Sequence, residues 1–242
     1  MSAVLEVASA NCEQHGDYER RQVYGRWVGR CQKCSEIDRE RRMAEDLARA
    51  RAERIDYLLG HADLPPRFAN KGFEGYEPRT SGQAQSLQAC RRYVAELDRH
   101  VAAGTCLVLI GPPGVGKTHL MVAVAADACR SEVRARYTTM ATFLAALRGS
   151  WEWHAEEHAE SFLTPRVLVL DEVWTPPSAR EAGALLALID ERYRRGVPTL
   201  VASNLTWPQM QADVGARFCD RLLEGGGQVI AVDGKSARGN KS

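Results

Sequence analysis

The eight residues Gly111-Pro-Pro-Gly-Val-Gly-Lys117-Thr118 constrain this 242-residue chain more than any other stretch. They match G-x-x-x-x-G-K-[ST] at every fixed position, between the apolar run Leu107-Val-Leu-Ile110 and a helical pattern from Lys117. Glycine opens backbone conformations closed to other residues. Gly111, Pro112, Pro113, Gly114, Val115 and Gly116 can therefore wrap consecutive N–H groups around a phosphate. A helix starting at Lys117 aims its positive end at the same point. Lys117 then reaches the β- and γ-phosphates of ATP, and Thr118 offers a hydroxyl to Mg2+. His119, next on that turn, is counted with the nucleotide-binding residues.

The surrounding pattern supplies the sheet that such a loop needs. Apolar strands are expected at Cys106–Ile110, Val133–Thr138, Arg166–Leu170 and Thr199–Ala202. Helices are expected at Gln83–Ala102, from Lys117 to about Ser131, at Ala141–Arg148 and at Ser178–Arg195. Continuous apolar strands separated by helices imply a parallel sheet covered on both faces. The run Val167-Leu-Val-Leu-Asp171-Glu172 ends in two carboxylates at the carboxyl end of a buried strand, where open α/β sheets bind ligands. Asp171 is the expected Mg2+ ligand, and Glu172 the group that orients and deprotonates an attacking water. Asn204 closes Thr199-Leu-Val-Ala-Ser-Asn204 and is placed to touch the γ-phosphate or that water. An asparagine there is also an ordinary turn residue.

Seven cysteines, an odd number, argue against a disulfide framework. Cys90, Cys106, Cys129 and Cys219 stand singly and read as small buried hydrophobes. The other three join a histidine: Cys12-x2-His15 and Cys31-x2-Cys34 have the spacing of paired zinc ligands. Three thiolates and an imidazole make a closed structural site, and the residues between suit a small β-hairpin. So short a segment cannot build a core alone, so zinc is expected to provide its folding free energy.

From Ser35 to Gly60 the text reads as one charged helix with sparse apolar positions; Pro65-Pro66 forbids its continuation. Taken alone it reads as a solvated charged helix. The boundaries that follow are 1–60 for the zinc module and helix, and 61–242 for the nucleotide domain. Neither a basic leader before a long apolar run nor a membrane-length apolar stretch occurs, so a cytoplasmic protein is expected. His154-Ala-Glu-Glu157-His158 formally matches an inverted zinc-protease motif, but it lies inside the nucleotide framework and reads as a polar surface helix. Arg217 and Arg221 lie four apart on one helical face. Either can pair with a surface carboxylate or reach a neighbouring subunit's γ-phosphate, with Arg221 favoured.

In their order, GPPGVGKT, VLVLDE, TLVASNL and ARFCDRLLEGG resemble the AAA+ ATPases of bacterial replicative helicase loaders, of DnaC type. They are similar also to the IstB transposition ATPases. Leu64-Pro-Pro-Arg-Phe, Phe73-Glu-Gly-Tyr and Tyr193-Arg-Arg-Gly-Val-Pro-Thr extend the likeness over about residues 61 to 232. The resemblance implies an ATPase whose nucleotide state governs self-association, contact with single-stranded DNA and release of a hexameric replicative helicase. It suggests that the N-terminal region grips that helicase, with Ile55, Tyr57, Leu58 and Leu59 as apolar anchors. The transposition relatives imply instead double-stranded DNA and a transposase. Only 21 residues follow Arg221, too few for a separate helical lid. Lys235, Arg238 and Lys241 read as a basic tail.

Overall fold

The computed structural model describes residues 6–69, 71–149, 155–176 and 178–234. The basic tail, Trp151, Trp153 and the first histidine of the His154–His158 pattern lie outside them. The chain divides into two compact units, Met1–Arg54 and Ile55–Ser242.

The first unit opens with an antiparallel meander of β1 (Val7–Cys12), β2 (Gly16–Val23) and β3 (Arg26–Val28). The expected hairpin thus has a third strand. A short turn brings Cys12 opposite Gly16, and a second turn at Tyr24-Gly25 brings Val23 opposite Arg26. Helix α1 (Gln32–Gly60) follows. Along it Arg41 pairs with Asp38 and Glu45, and Arg49 with Asp46. Such exposed pairs contribute at most about 0.5 kcal/mol each. Ile37, Met43 and Leu47 stay exposed, whereas Leu58 is buried and Leu59 half-buried against the core of the second unit. The division falls inside α1 for that reason. Leu58 and Leu59 are therefore core residues, which corrects their reading as partner anchors.

The second unit contains α2 (Pro66–Ala69), a single 3-10 turn at Phe73–Gly75, α3 (Ser81–Ala95) and α4 (Leu97–Ala103). Then come β4 (Leu107–Ile110), α5 (Lys117–Arg130), β5 (Ala135–Thr139), α6 (Met140–Gly149), α7 (Ala155–Leu163) and β6 (Val167–Val173). The unit continues through α8 (Ala179–Arg194), β7 (Thr199–Ser203), α9 (Trp207–Gln209), a π-turn at Met210–Val214, α10 (Ala216–Leu223) and β8 (Gln228–Ala231). The sheet is parallel with strand order β5-β6-β7-β4-β8. The loop-bearing strand β4 therefore lies inside it, between β7 and β8.

The strand residues sort by parity. Leu107, Leu109, Val167, Val169, Leu200 and Ala202 enter the core with α5, while Val108, Leu168, Leu170 and Val201 enter the one with α8 and α10. Both faces are covered, so β4 and the central positions of β6 and β7 are apolar throughout, and each fully buried aliphatic side chain contributes roughly 1.5–3 kcal/mol. Cys90, Cys106, Cys129 and Cys219 are all buried, as expected of solitary cysteines. One expected helix becomes two: the backbone breaks at Glu96 (φ −108°, ψ 26°). Tyr93 then stacks flat on His100 at 4.4 Å and its hydroxyl donates to Thr105 O at 2.8 Å.

Arg192 on α8 is fully buried and, among the described residues, meets no carboxylate. Its guanidinium donates to Thr199 Oγ1 (2.9 Å), Phe162 O (2.9 Å), Leu163 O (3.3 Å), Pro165 O (3.0 Å) and Pro198 O (2.7 Å). Carbonyl dipoles take the place of a counter-ion, and burial lowers its pKa to about 10. Among the described residues no helix is long and apolar enough to cross a membrane.

Candidate nucleotide site and metal centre

Gly111, Gly114 and Gly116 all have positive φ (150°, 83° and 101°). A Cβ on Gly111 would stand 2.1 Å from Val232 O, and one on Gly116 2.4 Å from the Tyr76 ring. The loop is closed to larger residues by contact as well as by conformation. It is also braced from below: Val115 O accepts from Tyr76 Oη at 3.0 Å and from Gln83 Nε2 at 3.2 Å. Gly111 N donates to Ser203 O at 3.2 Å, which ties the loop to the end of β7. Pro112 and Pro113 are exposed at its crest.

Lys117 is buried, and its Nζ donates to Gly111 O (2.6 Å), Pro112 O (2.9 Å) and Asn204 Oδ1 (2.8 Å). The structure thus joins two residues 87 apart that were expected at the same phosphate. Thr118 is half-buried on the first turn of α5. The His119 ring is engaged elsewhere: Nε2 lies 3.0 Å from Gly72 O, between Phe68 and Tyr76. It forms part of the wall that carries the loop.

Asp171 is buried at the end of β6, beside Thr139 of β5. Its Oδ1 accepts the Glu172 N–H at 2.7 Å and its Oδ2 the Tyr137 hydroxyl at 2.8 Å. The β6–β7 register slips between Leu170 and Val173, and Glu172 takes φ 54° there and is exposed. The bulge lets one carboxylate face inward while the next faces solvent. Tyr137, which the motifs do not mark, is held protonated by burial and by the Asp171 charge, so it donates. Its own N–H donates to Ala62 O at 2.8 Å. We expect Tyr137→Phe to raise the Mg2+ concentration for half-maximal nucleotide binding roughly ten-fold. Mg2+-free binding should stay unchanged. A fluorescent ATP analogue titrated across Mg2+ reads both; an unaltered Mg2+ requirement would mean the carboxylate is held without the phenol.

Arg221 is not with this group. Its Nε donates to Asp190 Oδ1 at 2.9 Å, its other arm reaches Glu224, and it lies 4.5 Å over the Tyr193 ring. Arg217 takes the other Asp190 oxygen at 2.6 Å. With Cys106 and Thr199, Arg221 lines a small cavity at the sheet end opposite Ile110 and Ser203. It cannot serve the phosphate loop of its own chain.

In the first unit, Cys12, His15, Cys31 and Cys34 bring one ligand atom each to within 4.8 Å of the others. Cys12 Sγ is 3.6 Å from His15 Nδ1 and 3.6 Å from Cys34 Sγ, and His15 Nδ1 is 3.2 Å from Cys34 Sγ. Tetrahedral zinc with Zn–S near 2.3 Å has edges of about 3.7 Å, so the donor set and its spacing fit the metal. Thiols this close resist ionising together. Cys12 is lowered to about 6 by the Gln14 N–H and then His15, while Cys34 is raised to about 11, chiefly by Cys12.

A glycine loop opening a helix, a strand-end carboxylate pair and this strand order define an AAA+ nucleotide-binding fold. The family described as IstB-like ATP binding protein matches residues 32–242, and the chain belongs to it. The replicative helicase loader DnaC of Buchnera aphidicola subsp. Schizaphis graminum is 24% identical over 193 residues, 78% of this chain and 77% of that one. The IS21 putative ATP-binding protein of Pseudomonas aeruginosa is 30% identical over 138 residues. That match spans 54% of this chain and 52% of the relative. Among solved structures, the DnaC helicase loader superposes with TM-score 0.64 at 21% identity, over 70% of this chain and all of that one. DnaI gives TM-score 0.60 at 21% identity, over 72% of this chain and 94% of that one.

Proposed function

We propose that the chain is a cytoplasmic, ATP-dependent loader that delivers a hexameric replicative helicase onto single-stranded DNA. The observation that carries this reading is the reach of the DnaC likeness, more than three quarters of both chains. Residues 61–242 are the ATPase domain, and residues 1–60 grip the helicase. ATP sits on Gly111–Thr118. Thr118 and Asp171 are the oxygen donors for Mg2+, which supplies charge neutralisation at the phosphates. Glu172, exposed beside Asp171, orients and deprotonates water. Asn204 senses the γ-phosphate by competing with it for Lys117. Cys12, His15, Cys31 and Cys34 hold one zinc. A transposition helper that binds DNA and recruits a transposase is the second reading, favoured by the family match and by the 30% identity to the IS21 protein.

Glu172→Gln should hold ATP without turning it over, so that tagged variant is the bait for partner capture with ATP. Recovery of a replicative helicase supports the loader; a transposase without a helicase transfers the chain to the second reading.

Self-association would place Arg221 at a neighbour's γ-phosphate. Arg221→Ala should leave nucleotide affinity unchanged, because Arg217 still pairs with Asp190. Turnover in concentrated assemblies should fall by roughly 100-fold or more. Normal turnover there would move the role to Arg217.

A further inference from the structure

The β2–β3 turn carries a residue that its backbone does not favour. Tyr24 (φ 47°) and Gly25 (φ 73°) are both left-handed, the requirement of a two-residue I′ turn whose first place suits Asn, Asp or Gly. A bulky residue there is strained, and this ring is fully exposed, at 101%. No packing compensates for its placement. Trp27, opposite Gln22, is 44% exposed.

Charge accompanies the rings. From Tyr18 to Cys34 the chain holds Arg20, Arg21, Arg26, Arg30 and Lys33 against one acid, Glu19. Arg30 is paired with Asp38, and Arg20 is tied to the Tyr18 hydroxyl at 3.0 Å. Arg21 and Arg26, both exposed, have no ion pair or side-chain hydrogen bond among the described residues. Strand pairing (Val23 with Arg26, Gln22 with Trp27) puts Arg21 and Arg26 on one face and Trp27 on the other, with Tyr24 at the tip.

We propose that single-stranded nucleic acid wraps this tip, with Tyr24 stacking on a base at its end, Arg21 and Arg26 meeting phosphates on one face and Trp27 stacking on the other. Exposed rings interleaved with unpaired guanidinium groups suit unstacked bases on a charged backbone. A protein groove would ask for a continuous apolar patch with few charges at its centre. Duplex DNA keeps its bases stacked and offers the rings nothing. The inference holds whichever partner the nucleotide domain serves.

The test uses full-length, zinc-loaded protein without nucleotide and a labelled oligothymidine of about 20 nucleotides, enough to span such a site. Fluorescence anisotropy is read at two salt concentrations beside a duplex of equal length. Wild type should prefer the single strand. Tyr24→Gly suits the left-handed turn, so it should keep its zinc and lose roughly ten-fold in affinity. Arg21→Ser with Arg26→Ser should flatten the salt dependence by about 1.4 in log–log slope. The proposal is overturned if the Tyr24→Gly variant, zinc intact, binds within two-fold of wild type. Equal affinity for duplex overturns it too, as does loss of a captured protein partner with oligonucleotide binding unchanged.

Discussion

Lys117→Ala should abolish ATP binding while the fold persists. Nζ is the cation of the loop, and in this structure it is held by Gly111 O, Pro112 O and Asn204 Oδ1. Those acceptors carry partial charge, whereas a triphosphate carries full negative charge, so the lysine exchanges them for phosphate oxygens. Removing one partner of a desolvated charge pair costs about 2–5 kcal/mol, or roughly 30- to 4,000-fold in Kd. The carbonyls left behind face the open loop and are satisfied by water, so stability should change little. Titration of a fluorescent ATP analogue measures the loss, and circular dichroism checks the fold. Micromolar affinity retained by the variant would remove the phosphate-loop assignment.

The second large effect concerns the first unit. Chelation, or Cys31→Ser, should unfold residues 6–31 and release one zinc per chain. The three strands expose Val7, Val23, Trp27 and Val28, and Cys31 is their neighbourhood's only buried hydrophobic residue among those described. Among the described residues no apolar core offsets the entropy of ordering this segment. Structural zinc in a small site supplies an apparent 10–16 kcal/mol at neutral pH. Metal analysis and hydrogen exchange over the meander read the outcome. Protein purified without chelators that contains no metal would refute the site. ATP binding should survive, because all of its residues lie in the second unit.

What the sequence made legible follows from burial. Strands β4, β6 and β7 are covered on both faces, so they stand out as uninterrupted apolar runs, and their expected limits fall within three residues of those observed. Strand β8 was missed. Gln228–Ala231 is an edge strand, only half-buried at its centre, and it follows three glycines that read as loop. Strand β1 escaped because Val7–Cys12 is built of small and polar residues without strong alternation. The glycine loop and the carboxylate pair were visible in the sequence because each is a short local run at the end of a buried apolar strand. Tyr137, Tyr76 and Gln83 were not, since each meets its partner across the sheet or under the loop from more than 30 residues away. The partners of Arg217 and Arg221 were hidden similarly, for Asp190 lies on another helix.

The position of β4 has a consequence for how the protein is made. Its two neighbours in the sheet, β7 and β8, are both later in the chain, and Thr105 at its base bonds Gly225, 120 residues onward. At a synthesis rate of about 5–20 residues per second, the loop strand waits on the order of ten seconds for both flanks. Until then a fully apolar strand has open edges on either side, and the carbonyl of Val232 that abuts Gly111 does not yet exist. A ribosome-bound chain therefore has to be kept from pairing wrongly, and its phosphate loop is fully braced only once β8 and Val232 have emerged.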